Sequence, residues 1–269
     1  MKIIFNKSKL LKYIHRNENL GLVPTMGGIH SGHISLINKS IHQCEKTIVT
    51  IFINKPQFNK KNDYLKYPRI IKKDISKLKK LKINYLYLPS TKQIYPDGVN
   101  KKIKITAFSK KLCGKARPGH FKAVVDVIER FIKLIKPKKI YLGEKDMQQL
   151  KIIEDFTKRN YPEIKIIPCK TIREKNGIAC SSRNILLSNE EKNVASEVFK
   201  LLSNNKRKII KKILPVRILM RKIYSLGVNK IDYIKILDIN KINMPYKKNK
   251  NYKIFIAYFL RTTRLIDNI

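Results

Sequence analysis

Residues 21–33, Gly-Leu-Val-Pro-Thr-Met-Gly-Gly-Ile-His-Ser-Gly-His, constrain this chain more than any other stretch. A short apolar run reaches Pro24, a loop carrying Gly27 and Gly28 follows, and His30 and His33 stand three positions apart. Beyond His33, Ile-Ser-Leu-Ile-Asn-Lys-Ser-Ile repeats apolar side chains at helical spacing. The order is strand, glycine turn, His-x-Gly-His, helix. Two imidazoles and several unpaired backbone N–H groups are thereby expected at a helix N-terminus, where the helix dipole favours an anion. Glycines let a backbone approach a phosphate closely. The segment reads as a cradle for nucleotide phosphates, distinct from a P-loop because no Gly-Lys-Ser/Thr follows it.

The rest of the chain supplies a frame for such a loop. Short apolar stretches at 20–24, 47–53, 84–88, 138–142 and 164–168 read as strands buried on both faces. Helical patterns at 33–44, 69–82, 122–136 and 146–159 lie between them. This alternation specifies an α/β domain with a parallel sheet, whose ligand crevice lies beyond the carboxyl ends of its strands. After Pro168 the pattern changes. Residues 171–188 are polar and irregular, helices follow near 189–203 and 215–226, and strand patterns occupy 231–238 and 252–260. We expect one domain over 1–168 and a smaller α+β domain over 169–269, with Ser181, Ser182 and Arg183 at the entrance of a lid.

Composition narrows the class. At 269 residues with 43% hydrophobic content, the chain can bury a sizeable core. Cys44, Cys113, Cys169 and Cys180 are scattered, with no Cys-x-x-Cys pair and no disulfide framework, which suits a reduced, cytoplasmic setting. The N-terminal apolar run is too short for a signal peptide, and no stretch reaches the length of a membrane span. Sixty Lys and Arg against nineteen Asp and Glu give a formal charge of +41. A nucleic-acid partner would explain it, but so would a lysine-rich composition coating a soluble enzyme. The lysines are spread through every segment and form no aromatic-interleaved stripe, so we expect no specific nucleic-acid or membrane partner, only salt-sensitive polyanion binding.

His-x-Gly-His after a first strand is common to nucleotidyl-transferring folds and names no substrate. Four further segments do more: Ile51-Phe-Ile-Asn-Lys-Pro-Gln-Phe58, Arg117-Pro-Gly-His-Phe121, Gly143-Glu-Lys-Asp-Met-Gln-Gln149 and Ser181-Ser-Arg-Asn184. With Leu22-Val-Pro-Thr-Met-Gly27, their order and spacing resemble the pantothenate synthetase (pantoate–β-alanine ligase) family over nearly the whole chain. The resemblance implies a Rossmann-like, nucleotidyl-transferase-type domain bearing a smaller C-terminal domain. It also implies a homodimer that condenses pantoate with β-alanine through a pantoyl adenylate. ATP is the co-substrate, with Mg²⁺ carried on its phosphates.

The same resemblance distributes roles. Met26, Gly27, Gly28, Ile29, His30, Ser31, Gly32 and His33 fall on ATP, as do Gly143, Glu144, Lys145, Asp146, Ile172, Cys180, Ser181, Ser182 and Arg183. His33 and Lys145 carry the catalytic roles, His33 as proton donor to the leaving pyrophosphate and Lys145 as a charge on the polyphosphate. Gln57 and Gln149 fall on pantoate, with Gln57 also near β-alanine. Read without the resemblance, the histidines are loop residues or a metal pair, Lys145–Asp146 is a solvated ion pair, and the glutamines are surface. The chemistry agrees with the resemblance: adenylation needs charge neutralisation and alignment more than a protein nucleophile. Arg117 and His120 line the site, order a loop or make an inter-subunit contact. His15 and His42 receive no role. Three departures from the family pattern bear on loop geometry: proline at position 56 of Asn54-Lys-Pro-Gln57, Cys113 before Gly114, and Arg261-Thr-Thr in place of a glycine turn. Another adenylyl transferase of the same fold is the rival enzyme, and it would not need the Gln57 and Gln149 segments together.

Overall fold

The computed structural model describes residues 1–14, 19–246 and 248–269, and His15 lies outside them. The chain divides into two compact units, Met1–Glu144 with Gln148–Lys170, and Lys145–Met147 with Thr171–Ile269. The first is built on a six-stranded sheet of β1 (Lys2–Ile4), β2 (Leu20–Thr25), β3 (Lys46–Ile51), β4 (Tyr85–Tyr87), β5 (Lys139–Gly143) and β6 (Lys165–Cys169). Its order is β1-β4-β3-β2-β5-β6 and every pairing is parallel. The chain builds outward from β2 in one direction through β3 and β4, then resumes on the other side with β5 and β6. Such a reversal opens a crevice at the carboxyl ends of the two strands that flank it, here β2 and β5.

The central strands are apolar on both faces because both are covered. Leu22 and Val23 are fully buried beside Ile48, Val49 and Ile140. Gly21 lets the following helix, Ser31–Gln43, pack close to β2. A Cβ there would collide with Ser40 Oγ and lie 2.9 Å from Cys44 Sγ. The expectation of two-sided burial fails for β6: Lys165 and Pro168 are exposed, because the strand is the sheet's edge and pairs only with β5. Two short elements, β1 and the helix Lys7–Tyr13, were too brief for any periodicity to show.

The second unit holds three antiparallel strands, β7 (Lys230–Asp238), β8 (Tyr252–Leu260) and β9 (Thr263–Asn268). Ile254, Ile256 and Leu260 of β8 pack with Val198, Leu202, Leu219 and Ile223 from its helices. The helix Asn189–Asn204 opens with a reciprocal cap: Ser188 Oγ accepts from Glu191 N at 3.2 Å, and Glu191 Oε2 accepts from Ser188 N at 2.7 Å. Arg261 adopts φ +47° in the turn between β8 and β9, the left-handed conformation that glycine takes without cost. Its N–H donates to Asn229 Oδ1 at 2.5 Å, which anchors the turn in the absence of glycine.

Candidate active site

The histidine loop leaves the carboxyl end of β2, at the reversal of strand order. Thr25 Oγ1 donates to Thr50 O at 2.8 Å and accepts from Gly27 N at 3.2 Å, fixing the exit from the strand. Gly27 and Gly28 then take φ of +82° and +64°. The helix begins at Ser31, two residues before the position expected from periodicity, with His30 as its cap. His30 Nδ1 accepts from Gly32 N at 3.1 Å, so in the neutral ring the proton sits on Nε2. His33 falls in the first turn, one helical step from the cap, and the two rings lie 4.0 Å apart at 31°. The i, i+3 spacing thus becomes a pair of imidazoles on one face.

One expectation for this loop is corrected. The backbone donors of the glycine segment are not left open for an anion. Asp74, from the helix Ile71–Lys79, accepts from Gly28 N through Oδ2 at 2.9 Å and from Ile29 N through Oδ1 at 2.8 Å. Asp74 is only 1% exposed, and Lys77 Nζ donates to Ile29 O at 2.5 Å beside it. With Gly27 N on Thr25 and Gly32 N on His30, four loop N–H groups are satisfied internally. The glycines serve the turn itself: a Cβ on Gly27 would sit 3.0 Å from Asp74 Oδ2. Asp74→Ala is expected to lower folding stability by about 3 kcal/mol, because two buried N–H groups lose a charged acceptor. Urea unfolding measures it, and a loss below about 1 kcal/mol would contradict the assignment.

Gln57 lies at the end of a 3₁₀ turn, Lys55–Gln57, after β3. Pro56 occupies one of the first positions of that turn, where a missing N–H costs nothing, while Gln57 N still donates to Asn54 O at 3.2 Å. The shifted proline is therefore accommodated. Gln57 is 8% exposed and is no surface amide. Its carbonyl accepts from Arg117 Nη2 at 3.1 Å and lies 2.8 Å from His120 Nδ1, so the Arg-Pro-Gly-His segment orders this turn. Its side chain meets Asn54 Nδ2 through Oε1 at 3.0 Å and Met26 Sδ through Nε2 at 3.1 Å. The two adjacent glutamines of the helix Met147–Asn160 differ sharply. Gln148 is buried and spends its amide on Cys113 N, Phe108 O and Lys111 O. Gln149 is half-buried, and its side-chain amide hydrogen-bonds to none of the described residues.

Gly143 ends β5 and Glu144 follows it in the first unit, whereas Lys145, Asp146, Ile172, Cys180, Ser181, Ser182 and Arg183 belong to the second. Lys145 O accepts from Asn268 Nδ2 at 2.9 Å, at the end of β9. Its ammonium lies 3.5 Å from Asp146 Oδ1, and its side chain is 18% exposed against 46% for that of Asp146. A partly withdrawn lysine with one loosely placed partner differs from a solvated surface pair. Cys180 N donates to Ile172 O at 2.9 Å, which brings these two positions together across a short hairpin. Ser181 Oγ accepts from Arg183 N at 3.3 Å and caps the turn Ser182–Leu186, against which β9 packs. Sequence reasoning missed the clamp beneath this hairpin. Arg173 makes two bonds to Asp267, at 2.7 and 2.9 Å, and lies 4.2 Å from the centre of the Phe199 ring. Nothing in the local sequence pairs residues 94 positions apart.

The sequence model of the pantoate–β-alanine ligase family matches residues 2–269. The chain belongs to that family. It is 39% identical over 278 residues to a pantothenate synthetase of Endomicrobium trichonymphae, covering 100% of this chain and 97% of the relative. A second pantothenate synthetase, from Sulfurihydrogenibium sp., is 35% identical over 279 residues and is covered to 99%. Among solved structures, the Francisella tularensis pantoate–β-alanine ligase, complexed with β,γ-ATP and β-alanine, superposes with a TM-score of 0.88. It shares 36% identity, with 100% of this chain and 97% of that one covered. The Thermus thermophilus pantothenate synthetase gives 0.91 at 26% identity, with 100% and 99% covered. As a member of the family the chain is a ligase, and the parallel-sheet α/β fold read from its sequence agrees with these neighbours. No helix among the described residues is long and apolar enough to cross a membrane.

Proposed function

We propose that the residues gathered on these two units divide the ligation as follows. The chain is an ATP-dependent ligase that condenses pantoate with β-alanine. A pantoate carboxylate oxygen attacks the α-phosphorus of ATP and pyrophosphate leaves. The β-alanine amine then attacks the acyl carbon, the acyl–phosphate C–O bond breaks, AMP leaves with its electrons, and the amine gives up a proton. The observation that carries this division is the close, tilted His30–His33 ring pair at the start of the helix that follows β2, the strand beside the reversal of sheet order.

His33 protonates the departing pyrophosphate, and His30, with Nδ1 engaged by Gly32, offers Nε2–H to a phosphate oxygen. Met26, Gly27, Gly28, Ile29, Ser31 and Gly32 shape this side of the ATP subsite, with Gly143 and Glu144. Lys145, Asp146, Ile172, Cys180, Ser181, Ser182 and Arg183, all of the second unit, serve the nucleotide. Gln57 and Gln149 orient pantoate with neutral amides, so its nucleophilic carboxylate is not quenched in a salt bridge. Mg²⁺ carried on the ATP phosphates would add charge neutralisation to that of the residues named here. Family resemblance further supports a homodimer working in the cytoplasm, on small-molecule substrates alone.

Exchange of labelled pyrophosphate into ATP tests the reading. The expected result is exchange that requires pantoate and proceeds without β-alanine, since adenylation precedes amine attack. Exchange that appears only with both substrates present would rule out a separable pantoyl adenylate.

A further inference from the structure

The side-chain amide of Gln57 ends a chain of three buried groups whose hydrogen-bond directions are fixed at the far end. Asn54, 1% exposed, places Nδ2 at 3.0 Å from Ala123 O and 3.0 Å from Gln57 Oε1. A backbone carbonyl only accepts, so Ala123 fixes which end of the Asn54 amide is nitrogen. Asn54 Oδ1 therefore faces Tyr95 Oη, 2.7 Å away, and the phenol must donate. Burial, reinforced by Asp126 and partly offset by Arg130 and Asn54, pushes the Tyr95 phenol far above its usual range and keeps that proton in place. The ring itself is anchored. The Arg130 guanidinium lies 4.4 Å from its centre and is held by Asp126 Oδ1 at 2.6 Å and by Ile94 O and Gly98 O, each at 2.7 Å.

The consequence reaches Gln57. Because Asn54 Nδ2 donates to Gln57 Oε1, the amide is held in one sense, with Oε1 toward Asn54 and Nε2 turned away from it, and among the described residues the partner of Nε2 is the Met26 thioether, a weak acceptor. We propose that Tyr95 is a positioning residue that, through Asn54, locks Gln57 as a hydrogen-bond donor toward the oxygen atoms of pantoate. This rests on the assignment of Gln57 to the pantoate subsite. It adds a polarity to that subsite: position 57 selects for an acceptor, a carboxylate or hydroxyl oxygen, and against a ligand that presents a donor there.

Steady-state kinetics on three full-length variants decides the matter, with thermal melting as a check of folding. Gln57→Ala tests the subsite and should raise the pantoate KM at least about tenfold, the scale of one or more lost hydrogen bonds. Tyr95→Phe removes one hydroxyl, leaves Asn54 Oδ1 without its donor, and should raise the pantoate KM about fivefold. The ATP KM and kcat should stay within about twofold, since the loss is of uniform binding to one substrate. Asn54→Asp is the sharper test. A carboxylate at that position still accepts from Tyr95 but cannot donate, so Gln57 must turn Nε2 inward and present Oε1 to the substrate. The pantoate KM should then rise by about as much as in Gln57→Ala. An unchanged pantoate KM in Gln57→Ala overturns the subsite and the relay together. A raised KM in Gln57→Ala with normal values in the other two overturns the relay alone. Equal loss across pantoate KM, ATP KM and kcat in Tyr95→Phe also overturns it, because Tyr95 then supports the fold at large. If that variant does not fold, Asn54→Asp decides.

Discussion

Lys145→Ala is expected to lower the adenylation rate by about 10²–10³, or about 2.7–4 kcal/mol of transition-state stabilisation, the loss expected for one preorganised electrostatic contact. Its side chain is 18% exposed, so the ammonium is drawn away from bulk water and its field is less screened than that of the chain's many surface lysines. Asp146, 3.5 Å away and nearly half exposed, neutralises it only loosely and leaves it able to meet a polyphosphate. The substitution should spare the fold. What ties this residue into the second unit is its backbone carbonyl, bonded to Asn268 Nδ2, and alanine retains that carbonyl. Pyrophosphate exchange and the melting temperature are measured together. A normal exchange rate in a normally folded variant would mean that Lys145 is surface charge.

Gln57→Ala and His33→Ala separate orientation from chemistry. Gln57→Ala should raise the pantoate KM while ATP affinity and kcat at saturating pantoate change little, because a neutral amide binds ground state and transition state alike. His33→Ala should lower kcat by about 10²–10⁴ even at saturating pantoate, the range for loss of a general acid. The geometry separates the two histidines as well. His30 has one ring nitrogen committed to Gly32 N–H as the helix cap, whereas His33 sits within the first turn and is not the cap. His30→Ala therefore also removes a cap, and the His33 variant is the cleaner probe of proton donation. Identical kinetic profiles for Gln57→Ala and His33→Ala, or a Gln57 variant that fails first in ATP binding, would refute the division.

All strands of the main sheet except the three-residue β1 were legible because each is a local pattern. The runs at 20–24 and 138–142 needed only their own apolar residues to read as β2 and β5. The helix His120–Ile135 showed its face through residues such as Val124, Val125, Ile128 and Ile132. Position in the sheet was not legible: β6 reads like the central strands but lies at the edge, since strand order is set by pairing partners far along the chain. The third strand of the small sheet, β9, escaped notice because Thr-Arg-Leu-Ile-Asp-Asn has little alternation, and its pairing comes from β8 across a two-residue turn.

The candidate site divides along the same line. The family resemblance carried by the order of the motifs named the histidine pair, the glutamines and the lysine as candidates, where residue type alone would have left the lysine and the glutamines on the surface. Only the tertiary structure decided who holds them. Asp74 closes the Gly28 and Ile29 donors from 46 and 45 residues away, Tyr95 donates to Asn54 from 41, and Asn268 donates to the carbonyl of Lys145 from 123. Between the adjacent Gln148 and Gln149, the sequence offers no distinction, and the fold turns one into a brace for residues 108–113 while leaving the other half-exposed. A buried hydrogen bond depends on which groups the packed chain brings within about 3 Å, and that is a property of the whole fold rather than of any window of sequence.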